Sequence, residues 1–93
     1  MNMILKKITN YSVRVSGYMR AGEGWSVVKD NEWGQSDVRK VKATIQIEKI
    51  SGGYLVLFSS NDKSVYCDDW FETLDDAIEY CKDEYSIQHW ENI

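Results

Sequence analysis

VKATIQIEKISGGYLVLF, residues 41–58, decides the fold. In its first half Val41, Ala43, Ile45 and Ile47 alternate with Lys42, Thr44, Gln46 and Glu48, the period-two pattern of a strand that buries one face. Ser51, Gly52 and Gly53 then supply the positive φ angles of a tight reversal, and Tyr54 to Phe58 is a continuous β-prone run. The stretch therefore reads as a hairpin. Downstream, Ser59 to Ser64 is rich in turn formers, and Val65 to Cys67 makes another short strand that extends the meander.

Upstream, Tyr11, Val13 and Val15 alternate with Ser12, Arg14 and Ser16, and Trp25 to Val28 is short and β-prone after the loop Ala21, Gly22, Glu23, Gly24. The spacing of Ile4, Leu5 and Ile8 suits a strand or a helical turn, and strand is the preferred reading. Residues 29–37 are polar and loop-like, which leaves Trp33 either folded back over the core or offered to a partner. Thr73 is placed to cap a helix, with Asp76 three residues on in a capping-box variant. At about 100° per residue, Leu74, Ala77, Ile78, Cys81 and Tyr85 form one apolar stripe, so a helix over Leu74 to Tyr85 packs on the sheet. Strands clustered before a single helix predict an α+β domain with an antiparallel sheet of about five strands and one C-terminal helix.

The chain has 93 residues, 43% of them hydrophobic and twelve aromatic, which fits one core and one domain, residues 1–93. No stretch of about 18 apolar residues occurs, so neither a membrane span nor a signal peptide is expected. Two cysteines in a core-forming chain read as thiols in a reducing, cytoplasmic compartment. The net charge of −4 argues against direct nucleic-acid binding through phosphate contacts. That charge is unevenly spread: residues 1–61 sum to +4 and residues 62–93 to −8.

The same helical rotation that collects the apolar stripe gathers Asp75, Asp76, Glu79 and Asp83 on the opposite side, with Lys82 near the edge. Asp68, Asp69 and Glu72 thicken this acidic ridge, and Trp70 and Phe71 lie within it. One of those two aromatics must turn inward, leaving the other as an interface anchor. Like charges four apart cost a few tenths of a kcal/mol per pair, roughly, so the ridge suggests a basic partner. A merely solvated face is the plain alternative. The candidate partner-binding set is Asp68, Asp69, Trp70, Glu72, Asp75, Asp76, Glu79, Tyr80 and Asp83, with Trp33 in reserve.

Catalytic readings are poor. His89 is the only histidine, and Cys81 falls on the core side of the helix, where a thiol is inert. Cys67, Cys81 and His89 lack the short ligand pairs of structural zinc, and Asp68 with Asp69 reads as solvated carboxylates before it reads as a magnesium or acid–base pair. Gly22 and Gly24 lack the third glycine of a dinucleotide loop. No enzyme, metal or cofactor is expected.

The run from Ala43 to Tyr85, with Gly53-Tyr54 in a hairpin, a third strand and then Asp-Asp-Trp-Phe-Glu-Thr-Leu-Asp-Asp-Ala-Ile-Glu-Tyr opening a helix, resembles small bacterial immunity proteins of polymorphic or contact-dependent toxin systems. It is also similar to HicB-type antitoxins, in which a Gly-Tyr strand pair leads to a Thr-x-x-x-Ala helix start, here Thr73 to Ala77, although this chain has no proline where that family carries a Pro-Asp-Leu-Pro-Gly-type segment. Both resemblances imply a protein that works by occupying a cognate toxin, which the acidic ridge suggests is a basic nuclease domain; a monomer or weak dimer is expected. The alternative is a phage-encoded acidic inhibitor that mimics DNA, whose carboxylates would have to spread over much of the surface.

Overall fold

A computed structural model describes residues 3–17, 24–28 and 38–91. Five strands, β1 (Met3–Gly17), β2 (Trp25–Val27), β3 (Val38–Ile50), β4 (Gly53–Ser60) and β5 (Tyr66–Phe71), precede one helix, α1 (Leu74–Tyr85). The sheet is antiparallel throughout, in the order β2-β1-β3-β4-β5. It curls, with α1 on one face over β4 and β5, and the expected α+β class is what the chain adopts. Residues 29–37, including Trp33, and most of the 21–24 loop lie outside the described residues.

The 41–58 hairpin forms in the expected register, Ile45 opposite Phe58 and Ile47 opposite Val56, all four buried. Gly52 holds φ +86°, which an L side chain rarely adopts, and so closes the turn. Strand β1 is one continuous element, but its register with β3 shifts between Ile4 and Lys6 and again between Ile8 and Tyr11, where Asn10 takes φ 53°. These bulges insert extra residues, so Ile8 and Tyr11, three apart, both pack against the core. The shift between Ile4 and Lys6 likewise breaks the period of two within residues 4–8, which is why that stretch looks half helical in sequence.

Strand β5 runs further than expected. It extends past the expected end at Cys67 through Asp68, Asp69 and Trp70 and pairs them with Leu57, Val56 and Leu55. Strand parity then decides where each side chain goes. Cys67 and Phe71 pack against the core on the helix side, and Tyr66 and Trp70 face away, 56% and 55% exposed. Of the Trp70–Phe71 pair, Phe71 is therefore the inward member. The indole of Trp70 lies across Gly53, where a Cβ would collide with the ring.

Helix α1 is fastened at both ends. The Thr73 hydroxyl accepts from the Asp76 amide at 3.1 Å, the expected N-cap. At the other end Ser86 adopts φ 59° and its amide donates to the Lys82 carbonyl, while Ile87 donates to Cys81. The Tyr11 hydroxyl lies 2.8 Å from the Tyr85 carbonyl and 3.0 Å from that of Ser86, tying the helix end to β1. The tail continues along β1, with the Glu91 amide donating to the Lys7 carbonyl and the Glu91 carboxylate accepting from the Thr9 amide and hydroxyl. This tail covers the stretch of β1 that β2 is too short to pair.

The β4–β5 turn is organised by a single oxygen. Asp62 Oδ1 accepts from the Ser60 hydroxyl, the Ser64 amide and the Ser64 hydroxyl, and these bonds hold its carboxyl down to about 2 from an ordinary 3.8. A carboxyl lowered in the folded state contributes stability above its unfolded value, and that contribution disappears as pH falls through the folded value. Asp62→Asn should therefore be less stable than the wild type at pH 6, with the gap closing between about pH 4 and pH 2. Urea melts of both proteins across that range measure it.

Candidate functional site

The outer side of α1 is built as its rotation requires. Asp75, Asp76, Glu79, Lys82 and Asp83 are all exposed, while Ala77, Cys81 and Tyr85 are buried. Glu72 is exposed at the entry to the helix. Five of the nine chosen residues, Glu72, Asp75, Asp76, Glu79 and Asp83, are thus exposed on or just before one helix. Asp75 and Asp76 in the first turn suit the positive end of the helix dipole, whereas Asp83 near the last turn does not.

The other four lie elsewhere. Asp68 and Trp70 are exposed on the reverse face of the sheet, away from α1. Asp69 is turned under the helix, where its carboxylate accepts from the Tyr80 hydroxyl at 3.1 Å and faces the Cys67 thiol at 3.9 Å. Tyr80 is correspondingly half-buried, tilted against Phe71 at 5.0 Å and edge-on to Tyr85 at 5.9 Å. Asp69 and Tyr80 therefore brace the helix on the sheet instead of forming part of an outward ridge. For Asp69 the reason is strand parity, which turns it to the helix side of β5, and for Tyr80 it is a place on the flank of α1 between the apolar stripe and the carboxylates.

A ladder of rings runs through the core beneath them. Phe58, 1% exposed, stacks on Trp25 at 5.3 Å and on Tyr85 at 5.1 Å, joining β2, β4 and α1. Beside this ladder, between β2 and α1, opens a pocket of about 220 Å³ lined by Trp25, Val27, Cys67, Tyr80, Glu84 and Tyr85 among others. A wider groove of about 590 Å³ lies on the other side of the helix end, where Tyr11, Arg14, Val28 and Lys40 approach Glu84 and Ser86. Neither cavity was anticipated. The only sequence cue to the first is that Tyr80 and Glu84, four apart, share the flank between stripe and ridge.

Burial tunes the titratable groups beneath the helix. It raises the Cys67 thiol, against a hydrogen bond from Tyr85, and raises both the Tyr80 and Tyr85 phenols far above their usual range. Cys81 is pushed up to about 12, first by burial and then by the charges of Asp69 and Cys67. Both cysteines are free thiols. Such groups are protonated at neutral pH, so they serve as packing and hydrogen-bonding atoms and are poor nucleophiles. His89 is exposed beyond the helix. Among the described residues no three His, Cys, Asp or Glu side chains converge as metal ligands, and no described helix is long and apolar enough to cross a membrane.

With its thiol at about 12 against an ordinary 9.0, Cys81 should hold roughly a thousandfold less thiolate at pH 8 than an unperturbed cysteine. A disulfide reagent should therefore label Cys81 slowly in the folded protein and fast in denaturant, with Cys67 in between. Rapid labelling of Cys81 without unfolding would contradict this placement. No family model matches the chain, and no characterised protein or solved structure shows significant similarity to it.

Proposed function

We propose that this protein is an immunity or antitoxin protein, which binds a cognate toxin and neutralises it by covering its active or substrate-binding surface. The toxin is a basic domain, a nuclease in the reading that best fits the charge. The observation that carries this is the outer side of α1, where Asp75, Asp76, Glu79 and Asp83 are exposed together with Lys82 as the one base among them. Like charges at Asp75 and Glu79 weaken the helix by about 0.2–0.5 kcal/mol, a cost that a basic partner relieves on docking.

The burial of Cys81 and the raised thiol of half-buried Cys67 support binding over turnover, and the exposed Arg14, Lys40 and Lys42 on β1 and β3 favour a local acidic patch over a molecule-wide DNA mimic. Trp70 and Asp68, being on the reverse face, belong to a second surface and not to the ridge. The expected interface accordingly centres on α1, with Glu72 at its edge.

Rim charges mainly set the association rate. Replacing Asp76, Glu79 and Asp83 together by Lys should slow association with the product of the neighbouring toxin gene and flatten its dependence on salt. The fold should be retained with little change in stability, because Asp75 gains an opposite charge at position 79 while positions 79 and 83 still repel and the first turn loses the carboxylate of Asp76. Association kinetics at two salt concentrations, together with a protection assay in cells expressing the toxin, test this. A variant that binds and protects as well as wild type shows that the ridge is only a solvated face.

A further inference from the structure

We infer that the pocket between β2 and α1 is a receptor for one guanidinium group, supplied by an arginine side chain of the basic partner. This rests on the reading of α1 as the docking surface and says where on it the anchoring contact is made. Its walls are the aromatic residues Trp25, Tyr80 and Tyr85, and Phe58 stacks against both Trp25 and Tyr85. Among the described residues no basic side chain lines it. Its one formal charge is the Glu84 carboxylate, and a second carboxylate, that of Asp69, lies one hydrogen bond behind Tyr80.

Tyr80 donates its proton to Asp69 and takes a hydrogen bond from Tyr85, so its oxygen keeps a lone pair with which to accept. The Tyr85 hydroxyl is engaged by Tyr80 and lies 3.5 Å from the Cys67 sulfur, so Tyr85 contributes its ring to the wall. Acceptors, aromatic surface and negative charge together exclude an anion. They also disfavour a purely apolar guest, which would strip water from Glu84 without replacing its hydrogen bonds.

A compact metal ion fits no better, because no set of three ligating side chains converges among the described residues. A guanidinium matches on each count. It is planar and weakly hydrated, lies against aromatic surface, and directs several N–H donors outward in a fixed fork toward the Glu84 carboxylate and the Tyr80 oxygen. The position is also apt. Tyr80 and Glu84 stand on the flank of α1 next to Asp76 and Asp83, so a basic surface steered onto the ridge brings its side chains to the mouth of the pocket.

The test uses small probes, and so does not depend on finding the toxin. N-acetyl-arginine amide is titrated into the isotopically labelled protein, followed by amide and indole NMR shifts, with free arginine, N-acetyl-lysine amide and the neutral isostere N-acetyl-citrulline amide in parallel. Expected are saturable shifts at Trp25, Ser26, Tyr80 and Glu84, a Kd on the order of millimolar, and no saturation with citrulline. Glu84→Gln, a change on a half-exposed helix position, should raise that Kd about fivefold or more while the spectrum stays that of the folded protein.

Shifts confined to Asp75, Asp76, Glu79 and Asp83, or citrulline binding equal to arginine, overturn the pocket assignment. Equal binding of the lysine probe overturns the choice of guanidinium. Free arginine binding much more tightly than the blocked form overturns the partner side chain in favour of a free small molecule. Loss of toxin binding in the triple Lys variant alongside failure of every probe leaves the immunity reading standing without the pocket. Probe binding without any toxin complex does the reverse.

Discussion

Phe58 is the residue on which the layers meet. Its ring stacks on Trp25 of β2 and on Tyr85 of α1, so one side chain of β4 holds three elements that share no backbone hydrogen bonds. Aromatic pairs of this kind contribute about 0.5–1.5 kcal/mol each beyond the area they bury. Strand β2, only three residues long, has little else besides its pairing with Val15, Ser16 and Gly17. The curl of the sheet over the helix follows, because the first strand in spatial order must bend round to bring Trp25 onto a ring of the fourth. The pocket beside Tyr80 and Glu84 is the space left where a short strand and a helix touch through a third element.

Below the helix the sheet places polar atoms where an apolar layer would be simpler. Asp69, Cys67, Tyr80 and Tyr85 meet in one cluster, and each finds a hydrogen-bonding partner within it. Among the described residues no buried side-chain nitrogen or oxygen lacks a partner. An unpaired buried polar group costs about 1–3 kcal/mol, so the cluster is tolerable only because it is complete. It has an electrostatic consequence as well. The carboxylate of Asp69 adds its field to that of the outer ridge.

Much of the fold is legible in residues 41–58 and 73–85, because there the local pattern and the tertiary environment agree. Alternation at Val41 to Ile47 becomes burial on one face of β3, and the Thr73 cap with its stripe becomes α1 over the expected residues. Legibility fails where the backbone departs from a fixed period. The bulges in β1 put Ile8 and Tyr11 on one face at a spacing no regular strand has. In β5, Asp68 and Asp69 are poor strand formers, yet pairing with Leu57 and Val56 holds them extended. The candidate site divides along the same line. Carboxylates on the helix were correctly oriented by rotation alone, whereas Asp69 was inverted because its direction depends on strand parity. The β2–α1 pocket, made of residues from three separate elements, has no local signature at all.

A helix carrying carboxylates at Asp75, Asp76, Glu79 and Asp83 against one lysine would be marginal in isolation, since twelve residues are near the lower limit for any helix in water. Here its ends are secured independently of that face. Thr73 satisfies an orphan amide at the start, Ser86 and Ile87 satisfy carbonyls at the end, and Tyr11 reaches across from β1 to the last two carbonyls. Three buried residues, Ala77, Cys81 and Tyr85, anchor the inner stripe. Caps contribute about 1 kcal/mol each, more than the like-charge pairs remove. The caps and the inner stripe hold the helix without calling on Asp75, Asp76 or Glu79, and the composition of that face is free to answer to something outside the molecule.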